Sequence, residues 1–217
     1  MENLIYHGDP HRPAMLTLVV QAGGESRRMG SDKALFPFLG QPLIQRVLGR
    51  VAHLAEEIIV TTNNPPAYRF LGLPLVLDLL PGRGALGGLY TALSAAAQPL
   101  VAVVACDMPF VSPGLLVVER DRLLGADCDA VIPQAAGGAE PFHAVYRRET
   151  CLPAVERAIQ ADKWRVDSWF GEVSLCYLGE DEIRQHDPDG LAFWNVNTPQ
   201  ELAQAEQIAM TLEDSER

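Results

Sequence analysis

The alternation of short apolar runs with amphipathic stretches predicts an α/β fold for this chain, with one doubly wound domain and a mostly parallel sheet. The apolar runs have the length of buried strands, and stretches with helical periodicity separate them. The length of 217 residues suits a single domain. Because such alternation puts helices on both faces of a sheet, we expect a three-layer, Rossmann-like arrangement. The expected domain spans residues 16–212, after a flexible leader at 1–15 and before a frayed tail at 213–217.

The first half of the chain carries the most regular part of this pattern. Residues 16–20 (LTLVV) are apolar or β-branched and predict the first strand. Residues 41–53 repeat apolar side chains at helical spacing, which predicts an amphipathic helix with Pro42 in its first turn. The pattern then predicts strands at 57–62, 75–77 and 100–105, a glycine-rich segment at 82–88 and an alanine-rich helix at 89–97.

The second half of the chain is less regular. The sequence predicts helices at 112–124 and 149–160, a helix around Trp169 and Phe170, a turn at 137–138, and strands at 130–132, 141–146 and 174–178. Thr198 and Pro199 have the residue types of an N-cap and a first helical position, so they predict the start of a last helix.

Glycine, amide or carboxylate residues follow four of the predicted strands. Gly23 and Gly24 come after the first strand, and Asn63, Asp78 and Asp107 come after later ones. In a doubly wound sheet, ligands bind beyond the carboxyl ends of the strands. The sequence therefore predicts a ligand site at this edge.

The loop after the first strand has the properties of a phosphate site. Gly23 and Gly24 leave backbone N–H groups open, and such groups can cradle phosphate oxygens. Arg27, Arg28 and Lys33 add three nearby cations in a chain whose net charge is −11. The spacing fits neither a Walker A loop nor the Gly-x-Gly-x-x-Gly dinucleotide fingerprint.

Three motifs give the chain a family resemblance. Residues 22–33 read A-G-G-x-S-R-R-M-G-x-D-K, residues 106–110 read C-D-M-P-F, and residues 195–199 read N-V-N-T-P. This combination resembles the nucleotidyltransferases that join an NTP to a phosphorylated acceptor, and it is most similar to the molybdenum cofactor guanylyltransferases. The resemblance implies transfer of GMP from GTP to the phosphate of molybdopterin, with release of pyrophosphate.

The resemblance also implies residue roles. It implies catalytic roles for Arg28, Lys33 and Asp107. Asp107 ends a strongly apolar strand, where a carboxylate needs a partner, and Mg²⁺ is the natural one; Asn197 is expected as a second metal ligand. The expected nucleotide-binding residues are Val20, Gln21, Ala22, Gly23, Gly24, Lys33, Asn63, Asp78, Gly84, Gly88 and Asp107. The expected acceptor-binding residues are Asn195, Asn197, His143 and Arg165.

Two places depart from the family pattern. Gln21 stands where the family usually has Leu, and residues 84–88 read G-A-L-G-G where the family has G-P-L-A-G. The glycine-rich segment offers room and backbone groups for a purine, so the sequence favours GTP. A cytidylyltransferase acting on molybdopterin, a transferase acting on another small phosphorylated acceptor, and a non-catalytic cofactor carrier stay open as alternatives.

Composition restricts the partners and the compartment. A sequence pI near 4.8 argues against general nucleic-acid binding, and no apolar run has the length of a membrane helix. The four cysteines lie far apart in sequence, which favours reduced thiols in a cytoplasmic protein over a zinc site or a disulfide scaffold. The expected partners are GTP, molybdopterin and other cofactor-biosynthesis proteins for handover, without nucleic acid or membrane.

Overall fold

A computed structural model gives the structure of residues 15–23 and 32–215. The described residues contain these strands: β1 Leu16–Gln21, β2 Pro37–Phe38, β3 Gln41–Pro42, β4 Glu57–Thr61, β5 Leu75–Val76, β6 Leu100–Ala105, β7 Ala130–Ala135, β8 Gly138–Ala139, β9 His143–Arg147 and β10 Leu175–Leu178. The α-helices are α1 Leu43–Val51, α2 Pro65–Tyr68, α3 Gly84–Ala95, α4 Pro113–Gly125, α5 Arg148–Gln160, α6 Glu180–His186 and α7 Pro199–Ser215.

The main sheet has the strand order β10-β7-β9-β6-β1-β4-β5, and β8 pairs with β7 at its side. Within the described part of this sheet, four of the seven strand pairings are parallel, which confirms the predicted mostly parallel architecture. The antiparallel pairings all involve β8 or β9. A short connection joins β7 to β9 through β8, and connections of that length can join only antiparallel neighbours.

Both faces of the sheet are buried. Leu18 and Val20 on β1 pack into one apolar cluster with α1 and α4. Val19, between them, packs into a second cluster with α3 and α5 on the opposite face. Because successive strand residues point to opposite faces, a run such as LTLVV suits a strand that is covered on both sides. The result is the predicted three-layer α/β fold.

The last helix docks on the rest of the domain through a smaller apolar cluster. Ala205 and Ala209 of α7 pack with Phe38, Leu43 and Phe110. This packing places the segment just before α7 beside the carboxyl end of β6. The helix continues to Ser215, beyond the predicted domain end at 212.

Several predicted elements differ from the structure. Helix α1 begins at Leu43, with Pro42 as its N-cap, two residues later than predicted. Helix α3 begins at Gly84, so the glycine-rich residues 84–88 form its first turns and do not form a loop before it. Residues around Trp169 and Phe170 make only a 3₁₀ turn, Phe170–Glu172. Helix α6 has no counterpart among the elements that the sequence predicts.

Candidate nucleotide and phosphate site

Three parallel strands end level with one another at the carboxyl edge of the sheet. Gln21 at the end of β1 is in register with Thr61 of β4 and with Ala105 of β6. Two backbone hydrogen bonds hold the chain together beyond these ends, from Ala22 N to Thr61 O (2.8 Å) and from Cys106 N to Gln21 O (3.0 Å). The residues that follow the strands therefore meet at one place.

A cavity of about 530 Å³ opens at this edge. The predicted residues in its wall are Gln21, Ala22, Gly23, Lys33, Asn63, Asp78, Gly84, Gly88 and Asp107. The predicted residues Gly24 and Arg28 lie outside the described part of the chain. The wall also contains residues that were not predicted, namely Asp32, Gly82, Ala85, Ala105, Cys106 and Phe142. Most of these are sequence neighbours of predicted residues, whereas Phe142 comes from the approach to β9, which only the strand order brings here.

Val20 is not in the cavity wall. Its side chain is fully buried in the core, and its backbone lies within the ladders that pair β1 with β4 and β6. The prediction that Val20 binds the nucleotide is therefore not supported. The strand continues one residue further than the apolar run suggests, so the ligand edge starts at Gln21.

The start of α3 forms one wall of the cavity. Gly84 has φ +57°, a left-handed conformation that favours glycine. A Cβ at Gly88 would lie 3.0 Å from Oε1 of Gln21, so the Gln21 carboxamide packs directly against this helix. Nε2 of Gln21 is buried and has no hydrogen-bond partner within residues 15–23 and 32–215. The residue that departs from the family pattern thus fills the space beside Gly88 with its side chain.

Asp78 and Asn63 lie on the same side of the cavity as α3. Oδ1 of Asp78 accepts hydrogen bonds from the backbone N of Leu80 (3.1 Å) and from Oγ1 of Thr91 on α3 (2.9 Å). Asn63 is exposed, and its Nδ2 lies 3.7 Å from the ideal Cβ position of Gly23. A side chain at position 23 would therefore touch Asn63, and glycine keeps this part of the cavity open.

The Lys33 ammonium contacts two other predicted site residues, Asp107 and Asn197. We call these three residues the phosphate cluster. Nζ of Lys33 donates to Oδ1 of Asn197 (2.7 Å) and lies 3.4 Å from Oδ2 of Asp107. The backbone N of Val196 also donates to the carbonyl oxygen of Asp107 (2.9 Å). Residues from three distant parts of the sequence thus form one cluster at the end of β6.

The surroundings of Asp107 change the pKa of its carboxyl group. Burial raises the pKa of this carboxyl group above its ordinary value, and the neighbouring Lys33 ammonium lowers it in part. Among the described residues, no group of three His, Cys, Asp or Glu side chains could hold a metal ion. The oxygen atoms of Asp107 and Asn197 are nevertheless hard ligands, and Mg²⁺ commonly uses one or two carboxylates together with substrate phosphates. This donor set fits a metal that arrives with a nucleotide.

The start of α7 fixes the position of Asn197. Oε2 of Glu201 accepts hydrogen bonds from the backbone N of Asn197 (2.6 Å) and of Thr198 (2.9 Å). The backbone N of Glu201 donates to Oγ1 of Thr198 (3.1 Å). This reciprocal pattern is a capping box, and it confirms the predicted N-cap at Thr198. Asn195, two residues before Asn197, donates from Nδ2 to the carbonyl oxygen of Phe193 (3.1 Å).

A second cavity of about 450 Å³ adjoins the first, and Ala85 lines both. Its wall includes the exposed Trp164 and Arg165 and the partly buried Phe170. The guanidinium of Arg165 makes two hydrogen bonds to Asp167, at 2.9 and 2.6 Å. The structure therefore brings the predicted acceptor residue Arg165 next to the nucleotide cavity but not into it.

His143 does not reach either cavity. Its side chain is fully buried, with Nδ1 3.1 Å from Oε1 of Glu119 on α4, and the backbone N of Ser112 donates to its Nε2 (3.3 Å). The prediction that His143 binds the acceptor is not supported, because both ring nitrogens have partners inside the core. His143 does lie on a strand as predicted, but its register opposite Val104 puts its side chain on the face of the sheet that α4 covers.

The fold and the site together define a class of protein. A mostly parallel sheet whose carboxyl edge carries a glycine-lined cavity, a lysine and an aspartate is the arrangement of a Rossmann-like nucleotidyltransferase. Residues 18–172 match the family model described as "MobA-like NTP transferase domain". The chain belongs to this family, and within it to the molybdenum cofactor guanylyltransferases.

Individual relatives support that placement. The chain is 35% identical over 195 residues to a probable molybdenum cofactor guanylyltransferase of Peptoclostridium acidaminophilum, with 88% of each chain covered. It is 32% identical over 195 residues to the molybdenum cofactor guanylyltransferase of Desulfosudis oleivorans, covering 88% of this chain and 94% of the relative.

Solved structures give the same result. The chain resembles the crystal structure of molybdopterin-guanine dinucleotide biosynthesis protein A from Archaeoglobus fulgidus with a TM-score of 0.77 and 28% identity, over 90% of this chain and 99% of that one. The 2-C-methyl-D-erythritol 4-phosphate cytidylyltransferase of Thermus thermophilus shares the fold, with a TM-score of 0.63 and 18% identity over 88% of this chain and 98% of that one. In the part of the chain that the structure describes, no helix is long and apolar enough to cross a membrane.

Proposed function

We propose that this protein transfers GMP from GTP to the phosphate of molybdopterin and releases pyrophosphate. The observation that carries the proposal is the cluster of Lys33, Asp107 and Asn197 at a cavity whose wall also includes the glycine-rich start of α3. Such a cavity offers a base end and a phosphate end to one nucleotide. Family membership supplies the reaction class, and relatives named guanylyltransferases supply the substrate pair.

The roles of the residues follow from the chemistry of phosphoryl transfer, which depends mainly on positioning the groups and neutralising charge. We infer that Gly23 and Gly24 bind phosphate oxygens, and that Arg28 and Lys33 offset the charge of the leaving pyrophosphate. Asp107, with Asn197, would hold Mg²⁺, which screens the charge around the α-phosphorus when it is bound with the nucleotide. Lys33 also contacts the segment before α7, so it is placed to meet phosphates of both substrates.

The acceptor is proposed to lie toward the second cavity. Arg165 presents a planar guanidinium suited to a phosphate or carboxylate, and Trp164 presents an exposed ring beside it. Asn197 belongs to the cluster with Lys33 and Asp107, and its amide donates to the carbonyl oxygen of Asn195. An acceptor with a planar heterocycle and one phosphate could therefore extend from the aromatic wall to Lys33.

The Arg165 assignment has a matched test. Arg165→Gln is expected to raise the KM for molybdopterin while leaving the KM for GTP near wild type. Arg184→Gln is the control, because Arg184 is also exposed and also pairs with a nearby aspartate. Equal effects of the two substitutions on the KM for molybdopterin would contradict the acceptor role.

Base choice decides between the guanylyltransferase and its closest alternative. GTP and CTP present the same phosphates to Lys33 and Asp107, so selection depends on Gln21 and residues 84–88. A site that pairs a polar edge of its ligand rejects the wrong base strongly, since its own groups would otherwise stay unpaired. We expect kcat/KM with GTP to exceed that with CTP by ~100-fold or more.

The test is pyrophosphate release by the full chain with purified molybdopterin, supplied with GTP or CTP in the presence of Mg²⁺. Pyrophosphate release with GTP and formation of the guanine dinucleotide would support the proposal. Equal use of CTP would remove the guanine assignment. Absence of pyrophosphate with every nucleotide would favour a cofactor carrier. We further propose a cytoplasmic location and handover of the product to other cofactor-biosynthesis proteins.

A further inference from the structure

A buried tyrosine hydroxyl lies directly behind the phosphate cluster. Tyr68, the last residue of α2, is fully buried, and its hydroxyl donates a hydrogen bond to Oδ2 of Asp32. Burial and the neighbouring Asp32 carboxylate raise the pKa of this phenol above its ordinary value, so it stays a neutral donor.

Asp32 connects the Tyr68 hydroxyl to the backbone turn that carries Lys33. Its other carboxylate oxygen, Oδ1, accepts a hydrogen bond from the backbone N of Ala34 (3.2 Å) and so caps the 3₁₀ turn Lys33–Leu35. The Asp32 carboxylate thus accepts a hydrogen bond from Tyr68 through one oxygen and caps the backbone turn of Lys33 through the other. No local sequence pattern relates Asp32 to its partner Tyr68, which lies 36 positions away.

The position of Lys33 depends on such an anchor. The Lys33 ammonium lies between Asn197 and Asp107, which come from the segment before α7 and from the end of β6. A lysine side chain has four flexible methylene groups and makes no bidentate contact that would orient it. The start of the side chain must therefore be fixed by the backbone turn, which Asp32 caps and which the burial of Ala34 in the core also holds.

We propose that Tyr68 is a positioning residue for the transfer reaction, which acts through Asp32 to hold Lys33 against Asp107 and Asn197. The proposal rests on the proposed function only for its effect on turnover. Its structural part, that the Tyr68 hydroxyl restrains the Lys33 ammonium, holds for any ligand of this site.

Tyr68→Phe tests the proposal because it keeps the ring and removes only the hydroxyl. A hydrogen bond to a charged group is lost, so we expect kcat to fall about tenfold, with a smaller change in the KM for GTP. In a protein that already carries Lys33→Ala, the same substitution should have no further effect on the residual rate, because the ammonium that Tyr68 positions is absent. An equal fold-loss in both backgrounds would overturn the proposal.

Tyr146→Phe is the matched control. Tyr146 is also fully buried and donates its hydroxyl to a single oxygen, the carbonyl of Pro141 (2.6 Å). It lies in the apolar cluster of α3 and α5, whereas Tyr68 lies in the cluster of α1 and α4 on the other face of the sheet. Both substitutions remove one buried hydrogen bond, so they are expected to lower the melting temperature to a similar extent. Only Tyr68→Phe should lower the rate by a factor that depends on whether Lys33 is present.

A second measurement does not depend on catalysis. The chain has two lysines, Lys33 and Lys163, so acylation by an amine-reactive ester can be followed by mass spectrometry with Lys163 as internal reference. Tyr68→Phe should raise the labelling of Lys33 relative to Lys163 several-fold, and Tyr146→Phe should leave the ratio unchanged. An unchanged ratio in Tyr68→Phe would overturn the proposal, even if the wild-type protein released no pyrophosphate.

Asp32→Ala provides a second test if Tyr68→Phe does not fold. Alanine removes both the acceptor of the Tyr68 hydroxyl and the cap on Ala34, whereas an amide at this position could donate its own N–H to the Tyr68 oxygen. The expected result is again faster labelling of Lys33 relative to Lys163. Wild-type labelling in this variant would also contradict the proposal.

Discussion

Glu119 on α4 and His143 on β9 form a fully buried pair. We expect this pair to make the free energy of unfolding depend on pH. Nε2 of His143 accepts from the backbone N of Ser112, so the ring proton is on Nδ1 and is donated to Oε1 of Glu119 (3.1 Å). The second oxygen, Oε2, is buried and has no hydrogen-bond partner in the described structure. Burial raises the pKa of Glu119 from 4.5 to about 7, although His143 lowers it in part.

The direction of the pH effect follows from this raised pKa. Between pH 4.5 and about 7 the folded state binds a proton at Glu119 that the unfolded state has released. The free energy of unfolding therefore decreases as the pH rises through this window, and the full stabilisation is present only below the unfolded pKa. At about 1.4 kcal/mol per pKa unit, the whole shift corresponds to roughly 3 kcal/mol.

Glu119→Gln removes this titration while keeping an oxygen that accepts from His143. The variant and the wild type are compared by urea denaturation from pH 5.5 to 8.5, a range that stays above the pI of 4.8. Over this range the wild type should lose about 2 kcal/mol more stability than the variant. Because the difference between the two proteins is used, titrations elsewhere in the chain cancel.

The control is Glu156→Gln, which changes an exposed glutamate on α5. We expect it to keep the wild-type dependence of stability on pH. If Glu119→Gln also keeps that dependence, Glu119 does not change its protonation in this range and the reasoning from burial is wrong.

Three further predictions concern the site and the helix beside it. Asp107→Asn should reduce pyrophosphate release by ~100-fold or more with little change in melting temperature, and activity within about threefold of wild type would contradict its metal role. Lys33→Ala should also reduce turnover strongly. Its melting temperature by calorimetry should stay close to that of the wild type, because this half-buried lysine contacts Asp107 and Asn197 at the cavity; a large fall in melting temperature would make Lys33 structural. Gly87→Ala should lower the melting temperature, since its Cβ would lie 3.0 Å from the carbonyl oxygen of Leu80. Gly49→Ala on α1 meets open space and should instead gain up to ~1 kcal/mol from helix propensity; equal shifts of the two melts would contradict this.

The sequence by itself determined the architecture and the edge where the site lies. Runs such as residues 16–20 and 100–105 are apolar on both alternating faces, and only a strand covered by helices on both sides buries them completely. Parallel strands of this kind must end at one edge, so Gly23, Asn63 and Asp107 could be grouped without coordinates. The roles of Lys33 and Asp107 were implied by the family resemblance of the motifs that contain them.

Only the tertiary structure decided the direction and neighbours of individual side chains. His143 and Tyr146 both lie on β9, and each finds its partner within the core because β9 lies between β6 and β7 in the interior of the sheet. Periodicity specifies alternate faces of a strand, but it does not specify which face meets a cavity or which helix covers it.

The same limit explains the network behind the phosphate cluster. Tyr68 and Asp32 are 36 positions apart, and Lys33 and Asn197 are 164 apart; no local pattern relates such residues. Their contacts exist because β1, β4 and β6 end level with one another and because α7 docks through its alanine face. The sequence thus determined which residues can take part in chemistry, and the packing of strands and helices determined which of them meet.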